Sequence, residues 1–381
     1  MITEGRPRLL VLPVGLGVGG AEEIIRESLP LIEAEGFEVT LWSLKEGGSL
    51  REDIGRNGAR VRSLEGTSRW SPAVLGRLYR GLRRERFDLV HSHLFRANLA
   101  ARLVGRAAGI RVIINSHHGT DAWRQSWARG VERATAGLAD RIVTCSESVR
   151  RAAIEEVGLP PEKVVTIPNG ISIRRFAARG QRYAVRTALG LAGDRPVLGT
   201  VARLDEPDKG IAVLVSAMEW VASRIPQVIC LVAGDGPSRR ELEENTLQRG
   251  LGERIRFLGV RRDIPDLLQA LDLYVQPSLR EGFGLSALEA MASGLPVIAS
   301  RAGGLVEVVK EGETGELVPP GDSAVLGERI VALLQADELR RRYGRQGVLR
   351  ARDCFPLDRM VREWVGLYRL LLAEKRLEVA A

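Results

Sequence analysis

Short apolar runs alternate with amphipathic helical stretches along almost the whole chain, and this alternation constrains the fold more than any single motif. The first run, Arg8-Leu-Leu-Val-Leu-Pro13, is followed by glycines at 15, 17, 19 and 20, then by a helical pattern over 21–35 that stops at Gly36. Residues 37–43 read as the next strand. Runs this short, apolar throughout, suit strands buried on both faces, as in a parallel sheet covered by helices. Strand, glycine-rich loop, helix, strand is the opening of a doubly wound α/β domain.

The alternation continues to residue 167. Helical patterns cover 73–86, 97–108, 125–138 and 147–156, and strand patterns cover 88–91, 111–115, 141–145 and 163–167. Residues 171–195, rich in Arg, Gly and Ala, read as a linker region with a helix near 183–189. The pattern restarts with strands at 196–202, 227–233, 255–258, 273–276, 296–300 and 317–318, interleaved with helices at 211–224, 238–249, 264–270, 285–292 and 305–309. Helices at 323–335, 338–351 and 356–372 close the chain. The expected architecture is α/β: two Rossmann-like doubly wound domains, 1–170 and 196–355, facing across a cleft that is the natural ligand site.

Composition excludes several classes. Of 381 residues, 45% are hydrophobic and 27% charged, the mix of an ordinary globular protein. The net charge of +8 comes from 51 arginines and only five lysines. It reads either as arginine spread over the surface or as a basic face for phosphates or anionic head groups. No nucleic-acid motif accompanies it, and aromatic residues at 5% offer few stacking platforms, so no nucleic-acid partner is expected. Cys145, Cys230 and Cys354 have no metal-site spacing and are odd in number, which points to a reducing, cytoplasmic compartment. The apolar run at 9–12 is too short for a signal-peptide core, and no run approaches the ~20 apolar residues of a membrane span.

Four stretches carry candidate chemistry. In Pro277-Ser-Leu-Arg-Glu281-Gly-Phe-Gly284-Leu-Ser-Ala-Leu-Glu289, one carboxylate lies in a loop after a strand and the other within a helix. Gly282 and Gly284 allow close backbone approach, and the N–H groups of Phe283, Gly284 and Leu285 fall at the helix N-terminus, where anions bind. A phosphate there, with both carboxylates on sugar hydroxyls, is the reading these residues favour. In Gly199-Thr-Val-Ala-Arg203-Leu-Asp-Glu-Pro-Asp-Lys209-Gly210, two cations share one strand-to-helix loop, which suits a diphosphate. Lys209 stands out because this chain so rarely uses lysine. Gly15-Leu-Gly-Val-Gly-Gly20 is neither a Walker loop nor a full dinucleotide fingerprint, and it leaves a close approach to phosphate or sugar of donor or acceptor. All four histidines cluster, as His91-Ser-His93 and His117-His118-Gly119, each pair just beyond a strand. A structural role fits His91 and His93, and a ligand contact fits His117 or His118. No nearby carboxylate completes a metal-ligand spacing, so no metal is expected.

Together these motifs resemble glycosyltransferase family 4, the retaining group with the GT-B fold. The resemblance extends over nearly the whole chain. It includes Gly19-Gly20, Asp88-Leu-Val-His-Ser-His93, Ser116-His-His-Gly119, Ala139-Asp-Arg-Ile-Val-Thr-Cys-Ser146 and Pro168-Asn-Gly-Ile171. In the second half it includes Arg203/Lys209, Val232-Ala-Gly-Asp-Gly-Pro237, Phe257-Leu-Gly259, Glu281 to Glu289, and Gly312-Glu-Thr-Gly315 to Pro320-Gly-Asp322. It implies a metal-independent transferase with no cofactor, moving a sugar from a nucleotide-diphosphate sugar to a glycan, lipid-linked or small-molecule acceptor with retention. His118, Arg203, Lys209 and Glu281 are the implied catalytic residues. Gly19, Gly20, Gly234, Phe283, Gly284, Leu285 and Glu289 are the implied donor-binding ones. Arg203 and Lys209 would neutralise the leaving diphosphate, Glu281 would hold sugar hydroxyls and Glu289 the ribose. The first domain would serve the acceptor and the second the nucleotide sugar, and the C-terminal helix 356–381 would cross back to the first domain.

Two departures from the family pattern stand out. The interval from Arg203 to Lys209 is one residue longer than usual, and two histidines precede Gly119 where one is usual; His118, directly before the glycine, is taken as its counterpart. The alternatives are a non-catalytic or epimerising sugar-nucleotide-binding protein of the same fold. A non-catalytic form is expected to have lost one of Arg203, Lys209, Glu281 and Glu289, and all four are present. The last expectation concerns membranes. Residues 69–86 form a helix pattern with a Val74, Leu75, Leu78, Leu82 stripe, five flanking arginines (Arg77, Arg80, Arg83, Arg84, Arg86), and Trp70 and Tyr79 placed for an interface. This allows a weak contact with an anionic membrane at its inner face, or else a stripe packed on the sheet with the arginines in water.

Overall fold

Every strand pairing among the described residues is parallel, and the strands form one sheet in each of two units. A computed structural model describes residues 6–17, 19–48, 50–56, 60–66, 71–120, 123, 125–177, 182–191 and 193–380. The units are Met1–Gly170 with Leu357–Ala381, and Ile171–Pro356.

The first unit holds β1 (Arg8–Leu12), β2 (Glu38–Lys45), β3 (Arg60–Gly66), β4 (Leu89–His93), β5 (Val112–His117), β6 (Arg141–Thr144) and β7 (Val164–Thr166), in the order β3-β2-β1-β4-β5-β6-β7. The order reverses between β1 and β4, and ligands of open α/β sheets bind beyond the strand C-termini at such a point. The central strands are buried on both faces, as their unbroken apolar runs require. The sequence reading placed no strand at β3. There Arg60-Val-Arg-Ser-Leu-Glu alternates, and only Leu64 is buried, because an edge strand is covered less.

The helix Pro72–Glu85 buries Val74, Leu78, Gly81 and Leu82 against a core that includes Leu10, Leu12, Trp42 and Leu64. A Cβ on Gly81 would stand 2.6 Å from the Trp42 ring, so the glycine is what lets the indole pack there. The apolar stripe therefore belongs to the core, while Tyr79, Arg80, Arg83, Arg84 and Arg86 are exposed. Arg69 and Trp70 lie outside the described residues. No helix among those residues is long and apolar enough to cross a membrane.

The second unit holds β8 (Val197–Val201), β9 (Ile229–Ala233), β10 (Ile255–Gly259), β11 (Leu273–Gln276), β12 (Val297–Ser300) and β13 (Gly315–Val318), in the order β10-β9-β8-β11-β12-β13. Its reversal lies between β8 and β11. The helices Ile211–Arg224 and Ser323–Gln335 seal one face through a core that includes Leu214, Met218, Ile330 and Leu333. The segment read as a linker is folded into this unit. Ile171 bridges to Pro356, and on the helix Arg182–Ala188 both Arg182 (2.6 Å) and Arg186 (2.7 Å) grip Asp272. Arginine-rich composition reads as solvated linker, but here the guanidinium forks reach a carboxylate and backbone carbonyls.

Candidate functional site

In the second unit, the loops after β8 and β11 flank the reversal of strand order and are stitched together. Leu279 and Arg280 both donate backbone N–H groups to Asp208 O, at 2.8 and 3.2 Å. Gly210 has φ of 62°, and a Cβ there would lie 2.1 Å from Pro277 O, so only glycine fits the crossing. This joining brings Lys209 to Glu281, with Nζ 2.8 Å from Oε2. The same carboxylate oxygen accepts from Ser278 Oγ at 3.2 Å and Gln276 Nε2 at 3.3 Å. Gln276 Oε1 in turn accepts from the buried Tyr274 hydroxyl at 3.0 Å. Gly303 and Gly304 press on the backbone of Glu281: Gly304 N–H donates to its carbonyl at 3.1 Å, and a Cβ on Gly303 would stand 1.8 Å from it. The position of Glu281 is thus set from both ends.

The remaining second-unit candidates divide by burial. Gly284 caps the helix Leu285–Ala292 with φ of 102°, and its absent Cβ would meet Leu305 at 2.5 Å. Phe283 is buried with its ring edge-on to Phe355, so it offers only backbone to a ligand. Glu289 is half-buried on the same helix; burial first, with the charge of Glu289 among the smaller causes, pushes the Tyr274 phenol up. Gly234 sits beyond β9 with φ of 131°, donates to Gly259 O at 2.8 Å, and could not carry a Cβ beside Ala202 O. Arg203 stands apart: it is largely exposed and pairs with Asp205 at 2.6 Å.

The extra length of the 203–209 loop has an occupant that the sequence reading missed. Glu206 Oε1 accepts from the N–H of Ile211 at 2.6 Å, so a carboxylate already caps the helix Ile211–Arg224. Burial raises its pKa, opposed by the N–H groups of Ile211, Ala212 and Gly210. An anion is left the other helix start, at Gly284 and Leu285.

In the first unit, adjacent histidines at the end of β5 face opposite ways. His117 is buried, with Nε2 3.0 Å from Glu132 Oε1 and its ring against Trp123. Arg102, fully buried in a π-helical turn over Ala101–Gly105, holds the same oxygen at 2.6 Å. Burial would raise the Glu132 carboxyl, but His117 and then Arg102 outweigh it and hold it below its ordinary value. His118 is half-buried and turns the other way, its Nε2 3.1 Å from His93 Nδ1 and its Nδ1 without a partner among the described residues. The two nitrogens of His91 meet Tyr368 OH at 2.6 Å and Ser116 Oγ at 2.7 Å. Burial first and neighbouring imidazoles second lower all three rings from the ordinary 6.5: His91 to about 3, His118 to about 4, and His93 well below its ordinary value. They are neutral hydrogen-bonding groups at neutral pH. No three potential ligands among the described residues come together as a metal site. Gly19 and Gly20 open the helix Gly20–Ala34, beyond β1 on the same sheet edge.

Comparison with known proteins agrees with this fold. The model of the glycosyl transferases group 1 family matches residues 182–350, and that of glycosyltransferase family 4 matches residues 18–175. A phosphatidyl-myo-inositol mannosyltransferase of Mycobacterium leprae is 34% identical over 282 residues, 72% of this chain and 71% of the relative. A UDP-Gal:alpha-D-GlcNAc-diphosphoundecaprenol alpha-1,3-galactosyltransferase of Escherichia coli is 27% identical over 80% of this chain and 82% of its own. A solved structure of Anabaena Alr3699/HepE in complex with UDP and glucose has the same GT-B fold, with a TM-score of 0.85 at 23% identity, over 95% of this chain and 99% of that one.

Proposed function

The chain belongs to the glycosyl transferases group 1 family, glycosyltransferase family 4, and from that premise we propose that it moves a sugar, with retention and without a metal, from a nucleotide-diphosphate sugar to a hydroxyl of a glycan or lipid-linked acceptor. The observation that carries this reading is the Lys209–Glu281 pair, held at the strand reversal beside the helix start at Gly284 and Leu285. The names of the two relatives, one using UDP-Gal and both acting on lipid-linked acceptors, support the substrate class.

In the proposed reaction the diphosphate lies against the N–H groups of 283–285 and Lys209, with Arg203 swinging from Asp205 to join it. Glu281 accepts from hydroxyls of the donor sugar and Glu289 from the ribose. The bond from the anomeric carbon to the phosphate oxygen breaks, and the acceptor oxygen bonds to that carbon on the same face. The acceptor proton passes to the departing phosphate oxygen, so no enzyme nucleophile is needed. Lys209, Arg203 and the helix start stabilise the charge that develops on the phosphate, each well-placed donor contributing about 2.7–4 kcal/mol. His118, neutral, hydrogen-bonds the sugar rather than shuttling its proton.

A donor panel assayed for nucleotide release, with lipid-linked and soluble acceptors, tests the reading. Turnover of one donor with one acceptor and retained anomeric configuration is expected. A glycosyl group trapped covalently on a carboxylate of this chain would overturn the same-face step.

A further inference from the structure

Of the five lysines, four are engaged: Lys163 with two backbone carbonyls, Lys209 with Glu281, Lys310 with Glu313 and Lys375 with Asp140. Lys45 is exposed, and its ammonium has no hydrogen bond or ion pair among the described residues. It ends β2, and the loop after it is fastened to the glycine-rich loop after β1. Lys45 N–H donates to Val14 O at 2.9 Å and Leu50 N–H to Leu16 O at 3.1 Å, and Gly48, with φ of 112°, lies so close to Leu16 that a Cβ would stand 2.2 Å from its carbonyl. The stem of Lys45 runs beside Gly15, where even a Cβ would be 3.9 Å away. Arg51, likewise exposed and unpaired among the described residues, begins the helix Arg51–Arg56 at the end of this loop; Glu46 is the carboxylate of the loop itself, and Glu52 and Asp53 follow Arg51 in the chain.

The strand order gives these groups a direction. From β2 through β1 and β4 to β5, the C-terminal edge presents Lys45, the glycines at 15 and 17, His93 and then His118. Three strand intervals of ~4.8 Å separate the first from the last by about 14 Å, and a lysine's flexible stem shortens the gap. Between them the glycines put backbone rather than side chains on the edge. A compact cation at one end, a side-chain-free stretch and a neutral imidazole at the other suit a sugar ring that carries a phosphate.

We propose that Lys45, with Arg51 and the loop at Gly15 and Gly17, binds a phosphate group of the acceptor, on the far side of its sugar from the reacting hydroxyl. This rests on the transferase reading above, and it adds that the acceptor is a phosphorylated sugar or polyol, soluble or as the head group of a lipid.

Calorimetric titration of the full chain tests it, with inorganic phosphate, myo-inositol 1-phosphate and uncharged myo-inositol as the soluble probes. Cosedimentation with phosphatidylinositol against phosphatidylcholine vesicles forms the lipid arm, and UDP, GDP and ADP are titrated alongside. At least one phosphorylated probe should bind, lose about tenfold in affinity in Lys45→Ala, as expected for one charge-assisted contact, and be unaffected by Arg240→Ala, an exposed arginine of the second unit. A loss confined to the soluble probes assigns a soluble acceptor, and a loss confined to vesicles a lipid head group. If any of the three nucleotides binds while Lys45→Ala matches the parent on every phosphorylated probe, the acceptor site is refuted and the transferase reading stands. If none of the three nucleotides binds, both fall.

Discussion

Lys209 and Glu281, 72 positions apart in the chain, share a proton-bearing contact of 2.8 Å. The cation expected to meet the leaving diphosphate is thus held by the carboxylate expected to hold the sugar. Gln276 and Ser278 fix that carboxylate independently, so Glu281 keeps two donors when Lys209 turns to a phosphate. On the proposed reading, the pair is a pre-set arrangement in which one donor molecule would engage both side chains in a single binding step.

Charge reversal at this position should remove turnover. Lys209→Glu places a second carboxylate beside Glu281 and against the leaving group. The expected fall in kcat/KM exceeds about a hundredfold, roughly 2.7 kcal/mol of transition-state stabilisation. Steady-state kinetics beside a circular-dichroism melt checks it: near-parental activity in a folded variant would mean that Lys209 does not face the phosphates.

Glu281→Gln separates charge from shape. The amide keeps a hydrogen-bond acceptor for Ser278 and Gln276 but loses the ion pair with Lys209. Activity should drop about tenfold or more while the chain still folds, since the amide goes on accepting from Ser278 and Gln276 although a largely buried ion pair is lost. A large drop in Tm would make the residue structural instead.

Acid should loosen the first unit. Burial lowers the folded-state pKa of His91, His93 and His118 below the ordinary 6.5. Between that value and the folded values of about 3 for His91 and about 4 for His118, the unfolded chain binds more protons than the native one. Stability is therefore fully present above pH 6.5 and is lost as pH falls toward 4. Proton NMR of the four histidines checks the cause directly: three rings should stay neutral at pH 5.5.

Breaking the buried pair beneath the histidines should be costly. Arg102 and Glu132 are both fully buried, so Arg102→Leu leaves the carboxylate with His117 as its remaining partner. The expected loss is about 3–5 kcal/mol in urea unfolding. A loss under 1 kcal/mol would show that the carboxylate simply takes up a proton.

Much of this was legible in the sequence because each signal was local. Ile211–Arg224, Leu273–Gln276 and Leu285–Ala292 are the helix, strand and helix expected, since each has a single period bounded by glycine or a turn. What escaped depends on contacts distant in sequence. β3 is strand because β2 pairs with it, not because its own residues form an apolar run. Arg102 and Glu132 lie 30 residues apart, and composition makes every arginine look solvated. Glu206 carries no signal of its own in the sequence, because the helix start that it caps is seen only in the fold. Lys45 was overlooked for want of a motif, although its rarity as a lysine was the same signal that drew attention to Lys209.

The basic face of the helix Pro72–Glu85 gives the last prediction. Its apolar stripe is spent on the core, so insertion into a bilayer is not open to it. Arg80, Arg83, Arg84 and Arg86 remain in water, and near an anionic surface each contributes about 1 kcal/mol, a force that falls off within a Debye length. Without buried apolar area the contact should be weak and governed by salt. Cosedimentation should therefore pellet part of the protein with phosphatidylglycerol vesicles at low salt, and little of it at high salt or with phosphatidylcholine alone. Changing Arg80, Arg83 and Arg84 together to Gln should abolish the pelleting and leave the melting temperature within a degree or two, because these side chains support no buried contact. Protein that stays in the supernatant with anionic vesicles at low salt would end the membrane idea and make a soluble acceptor the better substrate to pursue.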